Sequence, residues 1–387
     1  MLRKRQISGK LLLCLVATAA ILCGCAPAAQ LTQPTTTAPT VQTTVPTTVQ
    51  TEPTQSTTIQ TEPQPEIFTL SFAGDCTLGT EYDTYGSNGS FVQVVGDNYQ
   101  YPFQNILAYF GSDDFTMVNL EGALTYFNTP VEKEYRFRGP TEYAKILTAG
   151  SVEAVNLSNN HSYDYGETGY ADTKAALIQE NITHAGKNET AFFVTERGLK
   201  IGIYCAQFYI NNQNMEQSIA ALRAEGAQIV IASFHWGTEG KYTPDDSQKT
   251  IAYDAIDAGA DIVFGHHPHV LQPIEQYKDG VIYYSLGNFS FGGNRNPKDK
   301  DTAIIQQTVI VEPDGTVRLG DTTPIPCRLS SVAERNDYQP TPYEVGSEAY
   351  LRTLSKLDGT FGTPAPTEPV IPETEPTPAT ENTQPAA

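Results

Sequence analysis

Three of the six histidines in this 387-residue chain, His266, His267 and His269, follow directly on the apolar run Ile262-Val263-Phe264 and its closing Gly265. Neutral imidazole is the commonest protein ligand for transition metals near neutral pH, and Pro268 stiffens the turn between His267 and His269, so the stretch reads as part of a metal site. A histidine-rich surface loop is the plain alternative. The rest of the chain weighs against it, because residues able to bind metal recur at the ends of other apolar runs. Asp75 follows Phe68 to Phe72, Glu121 follows Phe115 to Val118, Asn160 follows Val152 to Leu157, and His235 follows Ile229 to Phe234. In open α/β sheets, sites form outside the carboxyl ends of the strands. Carboxylate, amide oxygen and imidazole at successive strand ends suit Mn, Fe or Zn better than a thiolate site or an all-oxygen calcium site.

The elements that must position these groups alternate regularly. Phe68, Leu70 and Phe72 alternate with Thr69 and Ser71, predicting a half-buried strand, whereas Ile229 to Phe234 is nearly all apolar, as expected of a strand covered on both faces. Helices are predicted over Gln104 to Phe110, Pro140 to Ala149, Gly169 to Glu180, Asn214 to Ala224, Ser247 to Ala258 (with Ser247 as N-cap and Gly259 as the stop) and Glu344 to Leu357. Hairpins are expected at Arg197-Gly198 and around Pro313-Asp314-Gly315. Strands alternating with helices imply an α/β domain over residues 67–362.

Both ends differ in composition. Arg3, Lys4, Arg5 and Lys10 precede an apolar stretch from Leu11 to Leu22 that is short for a membrane span, which predicts an export signal over residues 1–24. Residues 25–66 are rich in Thr, Pro and Gln and read as an extended spacer, and residues 363–387 as a Pro/Thr/Glu tail. The formal net charge is −20, and more negative still once the basic signal is removed, which argues against binding a nucleic-acid backbone. After removal of Cys14 and Cys23 with the signal, Cys76, Cys205 and Cys327 remain in the folded part, which is not a disulfide framework.

Two resemblances bear on these readings. Leu22-Cys23-Gly24-Cys25 resembles the lipobox of bacterial lipoproteins, which implies cleavage before Cys25, its lipidation, and a place on the outer face of the cytoplasmic membrane. In the folded part, Gly74-Asp75, Asn119-Leu120-Glu121, Asn159-Asn160-His161 with Asp164-Tyr165-Gly166, His235-Trp236-Gly237, Gly265-His266-His267-Pro268-His269 and Tyr284 to Phe289 occur in that order. They resemble the calcineurin-like metallophosphoesterases and, more closely, the bacterial capsule-synthesis proteins of the CapA, or poly-gamma-glutamate, type, over residues 68 to 330. The resemblance implies a four-layer α-β-β-α sandwich and a site for one or two divalent ions. One ion would be held by Asp75, Glu121 and His269, the other by Glu121, Asn160, His235 and His267, with His266 outside the set. Thr77 stands where the phosphoesterases usually carry a histidine, so the first position has one ligand fewer.

Two ions so placed would polarise a phosphoryl oxygen and activate a water, with His161 protonating the leaving group. Asp164 either orients His161 or serves as a turn residue. Arg136 and Arg138 fall on one face of a short strand and either clamp an anionic substrate or form an exposed basic edge, Arg138 being the better placed; Asn288 offers an amide contact. Two functions follow: a lipid-anchored, metal-dependent hydrolase of phosphoesters in an envelope polymer or its precursor, or an accessory protein in assembly or export of an anionic capsule polymer, working with membrane-bound synthase subunits.

Overall fold

The computed structural model describes residues 63–362. The signal, Cys25, nearly all of the spacer and the tail lie outside the described residues.

The half-buried strand expected at Phe68 to Phe72 extends over Glu66–Thr77 and is covered on both faces. Phe68, Leu70 and Phe72 face a second sheet, and Ser71, expected in solvent, is buried as well. The reason is topological: this strand lies inside an eight-stranded sheet, where even the polar side of the alternation is roofed over. Its parallel neighbour is Phe115–Leu120, followed outward by Ala154–Asn156 and Thr183–Ala185; on the other side run the antiparallel Asp301–Val311, Val317–Arg328 and Thr341–Pro342, and Asn288–Phe291 pairs with its carboxyl end. The second sheet runs Ile274–Tyr277, Gly280–Tyr283, Ile262–His266, Ile229–His235, Lys200–Gln207, Glu189–Val194.

Three cores hold these layers. Between the sheets, Phe72 meets Phe264 edge-on with ring centroids 5.1 Å apart, amid Leu70, Met117, Ile231 and Ile262; each such side chain contributes about 1.5–3 kcal/mol on burial. The opposite side of Ile229–His235 presents Val230, Ala232 and Phe234 to the helices Asn212–Ala224 and Asp246–Asp257, through Met215, Ile219 and Ala252. The outer face of the first sheet packs on Ala144–Ala149 and Gly166–Gln179 through Ile146, Leu147 and Leu177. The result is the expected four-layer α/β sandwich.

Three local expectations change. The helix start at Ser247 moves to Asp245, whose side chain accepts from the backbone of Gln248 while the Gln248 side chain accepts from the backbone of Asp245; this reciprocal capping box satisfies two donors where a lone serine satisfies one. The segment expected as one helix from Gln104 breaks into a 3-10 turn at Tyr101–Phe103 and a short helix at Leu107–Phe110. A small three-stranded sheet of Thr80–Glu81, Phe137–Gly139 and Ala123–Leu124 was not foreshadowed. Cys76, Cys205 and Cys327 are all buried and free.

At the amino end of Phe115–Leu120, Glu153 accepts from the Thr116 backbone at 2.7 Å. Burial pushes its carboxyl up from 4.5 to about 7. A carboxyl raised on folding favours the folded state below its unfolded value, and that contribution is lost as pH climbs through the folded value. Glu153→Gln should therefore flatten a fall in stability of about 1–2 kcal/mol between pH 4.5 and 8, read as melting temperature against pH.

Candidate metal centre

Both sheets deliver polar groups to one place. Asp75 ends the first parallel strand and Glu121 follows the second; His235 and His266 end two strands of the other sheet, and His267 and His269 occupy the turn beyond. That turn is held in the left-handed region at His267 (φ 95) and His269 (φ 56). Such strain, about 1–3 kcal/mol per residue, persists where surrounding structure fixes it and is concentrated at functional sites. Gly74 is required by close approach, since a Cβ there would sit 1.9 Å from the carbonyl oxygen of Gly287. The contact lets Asp75 donate its backbone N–H to that oxygen at 2.8 Å.

The side chains form two overlapping triads. Ligand atoms of Asp75, Glu121 and His269 lie within 4.8 Å of one another, as do those of Glu121, His235 and His267. Glu121 is common to both: its Oε1 is 3.7 Å from His235 Nε2 and 4.0 Å from His269 Nε2. The six positions named as ligands from sequence thus supply five members of these triads. The sixth, Asn160, has its Oδ1 buried without a partner. His266 lies behind the cluster, with Nε2 3.1 Å from Ser233 Oγ.

Whether the residues fit a cation can be judged from what they lack. Asp75 Oδ2 lies 3.0 Å from His269 Nδ1, whereas Glu121 Oε1, Asn160 Oδ1, both ring nitrogens of His235 and His267 Nδ1 are buried and have no hydrogen-bond partner. Buried polar atoms are rarely left so, and their common location is what a divalent ion would satisfy. The protonation states of two of the three histidines agree. Burial, reinforced by His267, holds His235 well below the usual histidine range, and burial with repulsion from His269 brings His267 down to about 4, leaving both imidazoles neutral. Burial lifts the Glu121 carboxyl to about 8; His269 opposes this and Asp75 adds to it. At Asp75 burial also pushes upward, but hydrogen bonds from His266 and His269 prevail and hold it well below the usual carboxylate range. At His269 burial pushes downward, but Glu121 and Asp75 prevail and lift it to about 9, so this ring carries a proton that an incoming cation would displace; the neutral His235 and His267 with the two carboxylates are the groups a divalent metal would meet first.

Beside the cluster stands His161. Its Nδ1 is 2.8 Å from Asp164 Oδ2 and its Nε2 is 3.9 Å from Glu121 Oε1, so one nitrogen is tied back and the other faces the metal ligands. Asp164 is fully buried and also accepts from the backbone of Phe137 at 2.7 Å; of its two readings, the orienting one matches this geometry. Burial lowers the His161 pKa against the opposing effect of Asp164.

Sequence reasoning missed three supports. Lys133 Nζ donates to Asp164 Oδ1 and to the Asn160 carbonyl, both at 2.8 Å. Its setting between Glu132 and Glu134 reads as a solvated charge run and gives no hint of this. Asn119 donates to Asp75 Oδ1 at 2.9 Å, and Asn159 donates to Asn119 Oδ1 at 3.1 Å; an asparagine inside the apolar strand Phe115–Leu120 was the available signal.

The substrate-side expectations divide. Asn288 lines an open cleft of about 660 Å³ over the cluster, together with His161, His269, Tyr135, Phe137 and Tyr242, and its Oδ1 lies 2.9 Å from His269 Nδ1. Arg138 is a correction. Alternation sends Tyr135 and Phe137 to the cleft and turns Arg138 away, its guanidinium 4.2 Å over the Tyr85 ring and 5.5 Å from that of Tyr165. Arg136 pairs with Glu81 and Asp83.

A four-layer α/β sandwich carrying carboxylates and imidazoles at the carboxyl ends of strands in both sheets defines a candidate divalent-metal centre. The chain belongs to the bacterial capsule synthesis protein PGA_cap family, whose pattern matches residues 69–293. It is 27% identical over 304 residues to the PGA biosynthesis protein CapA of Bacillus subtilis, covering 70% of this chain and 76% of that one. It is also 27% identical over 274 residues to the capsule biosynthesis protein CapA of Bacillus anthracis, covering 62% and 64%. Among solved structures, Haemophilus influenzae NAD nucleotidase overlaps 76% of this chain and 63% of its own, at 14% identity and a TM-score of 0.40.

Proposed function

We propose that this protein is a metal-dependent, phosphoesterase-like hydrolase acting in the synthesis of a capsule or envelope polymer such as poly-gamma-glutamate. In this reading it is anchored through a lipid on Cys25 at the outer face of the cytoplasmic membrane, where it meets the anionic polymer or its precursor beside membrane-bound synthase subunits and takes no nucleic acid. The observation that carries the reading is the convergence of unpartnered buried donors from both sheets next to a tied-back histidine at the foot of a cleft.

Asp75, Glu121 and His269 would hold one divalent ion, and Glu121, Asn160, His235 and His267 another, with Mn, Fe or Zn matching the donor set. Bound there, the metal supplies Lewis acidity toward a phosphoryl oxygen and a hydroxide nucleophile at neutral pH. Asp164 fixes His161 through Nδ1, and Lys133 fixes Asp164. His161 Nε2 is the atom placed to pass a proton to a leaving oxygen. Asn288 sets the His269 ring by accepting from its Nδ1, which leaves Nε2 toward Glu121.

The test is elemental analysis of the purified protein together with hydrolysis of a generic phosphodiester and phosphomonoester. His161→Gln should retain the wild-type metal content and lose about 10²–10⁴ in kcat. Hydrolysis unchanged in that variant would remove His161 from the chemistry. The accessory reading draws on the two relatives, named for biosynthesis; metal bound with no hydrolysis of either ester would favour it.

A further inference from the structure

Glu239 lies outside both triads, yet its carboxylate and the ring nitrogens of His267 and His269 fall within 4.8 Å of one another. Those two histidines belong one to each triad, so Glu239 stands across the same pair of positions that Glu121 joins. Glu121 does so from the buried floor, whereas Glu239 is exposed and lines the cleft.

Two further observations point to a ligand between these groups. His267 is only 9% exposed, and its Nδ1 has no partner. The loop bearing Glu239 is built to stay there: Gly237 (φ 79) and Gly240 (φ 74) turn it back, and the Gly240 N–H donates to the carbonyl of Pro268 at 2.8 Å, the residue between the two histidines. No hydrogen bond or ion pair among the described residues engages the Glu239 carboxylate itself.

We propose that Glu239 is a metal ligand, a second shared carboxylate that enters from the cleft and caps the centre. The proposal rests on the reading of the site as a metal centre. Chemically it answers a shortage, since Asp75, Glu121 and His269 supply three donors where divalent ions of this class take four or more. It also places an anionic, exposed side chain where an incoming anionic oxygen must bind, so substrate and Glu239 compete for the same coordination.

The experiment is titration of the metal-free, full-length protein with Mn²⁺ by calorimetry, with bound metal counted by elemental analysis, for wild type, Glu239→Gln and Glu239→Asp. Loss of a ligand should weaken Mn²⁺ binding by about 10-fold or more in both variants, with the metal-free melting temperature unchanged because the side chain is exposed. The aspartate variant separates ligation from charge: it keeps the charge but not the reach, so a carboxylate acting only through space would leave it like wild type. Binding in Glu239→Gln within about twofold of wild type, at the same stoichiometry, overturns the proposal while leaving the metal centre intact. Wild-type protein that takes up neither Mn²⁺ nor Zn²⁺ overturns both.

Discussion

Replacing Glu121 by glutamine is expected to give a metal-free protein more stable than the wild type, and one that no longer gains stability from added Mn²⁺ or Zn²⁺. The side chain is fully buried, and its Oε1 meets no donor. Ionised and without a cation, it carries the desolvation penalty of a buried charge; glutamine keeps the shape and sheds the charge, for a gain of about 1–3 kcal/mol. The sign of the pH dependence follows from a carboxyl raised from 4.5 to about 8. Its contribution favours the folded state below pH 4.5 and is lost as pH rises through about 8, so the advantage of the variant should vanish near pH 4.5 and be largest above pH 8. Metal binding should fall by roughly 100-fold or more, because both triads lose their common charge. Thermal melts from pH 5 to 9 with and without metal decide the matter. A variant less stable than metal-free wild type, and still stabilised by metal, would remove Glu121 from the centre.

The largest stability loss is expected at Lys356. This lysine is 3% exposed, on the helix Glu348–Leu357, and its ammonium lies 2.7 Å from both Asp299 Oδ2 and Asp301 Oδ2. Arg352 binds Asp301 through two bonds of 2.7 Å, Tyr343 donates to Asp301 at 2.8 Å, and Tyr242 donates to Asp299 at 2.9 Å. Burial would raise the Asp301 carboxyl, but Arg352 and Lys356 hold it below the usual range. Lys356→Met leaves Asp301 with Arg352 but Asp299 with only the Tyr242 hydroxyl and the Asp301 backbone N–H, neither of them a charge, and breaking a buried pair this way costs about 3–5 kcal/mol. Urea denaturation measures it; a loss under about 1 kcal/mol would mean that the carboxylates find water instead. Asp299 and Tyr242 also line the cleft, so the variant should raise KM for any substrate more than it lowers kcat.

What could be read from the chain followed from locality. A strand and the polar residue that ends it are contiguous, so Asp75, Glu121, Asn160 and His235 could be picked out one by one, and the turn at His267 to His269 declared itself by composition. Side-chain direction around the three-residue strand Phe137–Gly139 could not be read, because alternation fixes only that Arg138 and Arg136, just before the strand, share a face and leaves open which face meets the cleft. Lys133 was invisible for a different reason: its loop is brought to the site by a long-range bond from the Val131 N–H to the Asp164 carbonyl, 2.9 Å long, and no periodicity records that. Glu239 carried a faint signal, a carboxylate between glycines just after His235.

The strand Glu66–Thr77 has a mechanical consequence. It receives the preceding chain at one end and presents Asp75 at the other, about 30 Å away at 3.3 Å per residue. Between the two it is laced on one side to Asp301–Val311 and on the other to Phe115–Leu120. Tension applied through the segment before Glu66 therefore loads the ladder in shear and is spent across many hydrogen bonds before it reaches the site. If the proposed amino-terminal anchor holds the protein, a pull on it would be taken up by this ladder before it reached Asp75, and an ion held by Asp75 and His269 would fasten the far end of the seam.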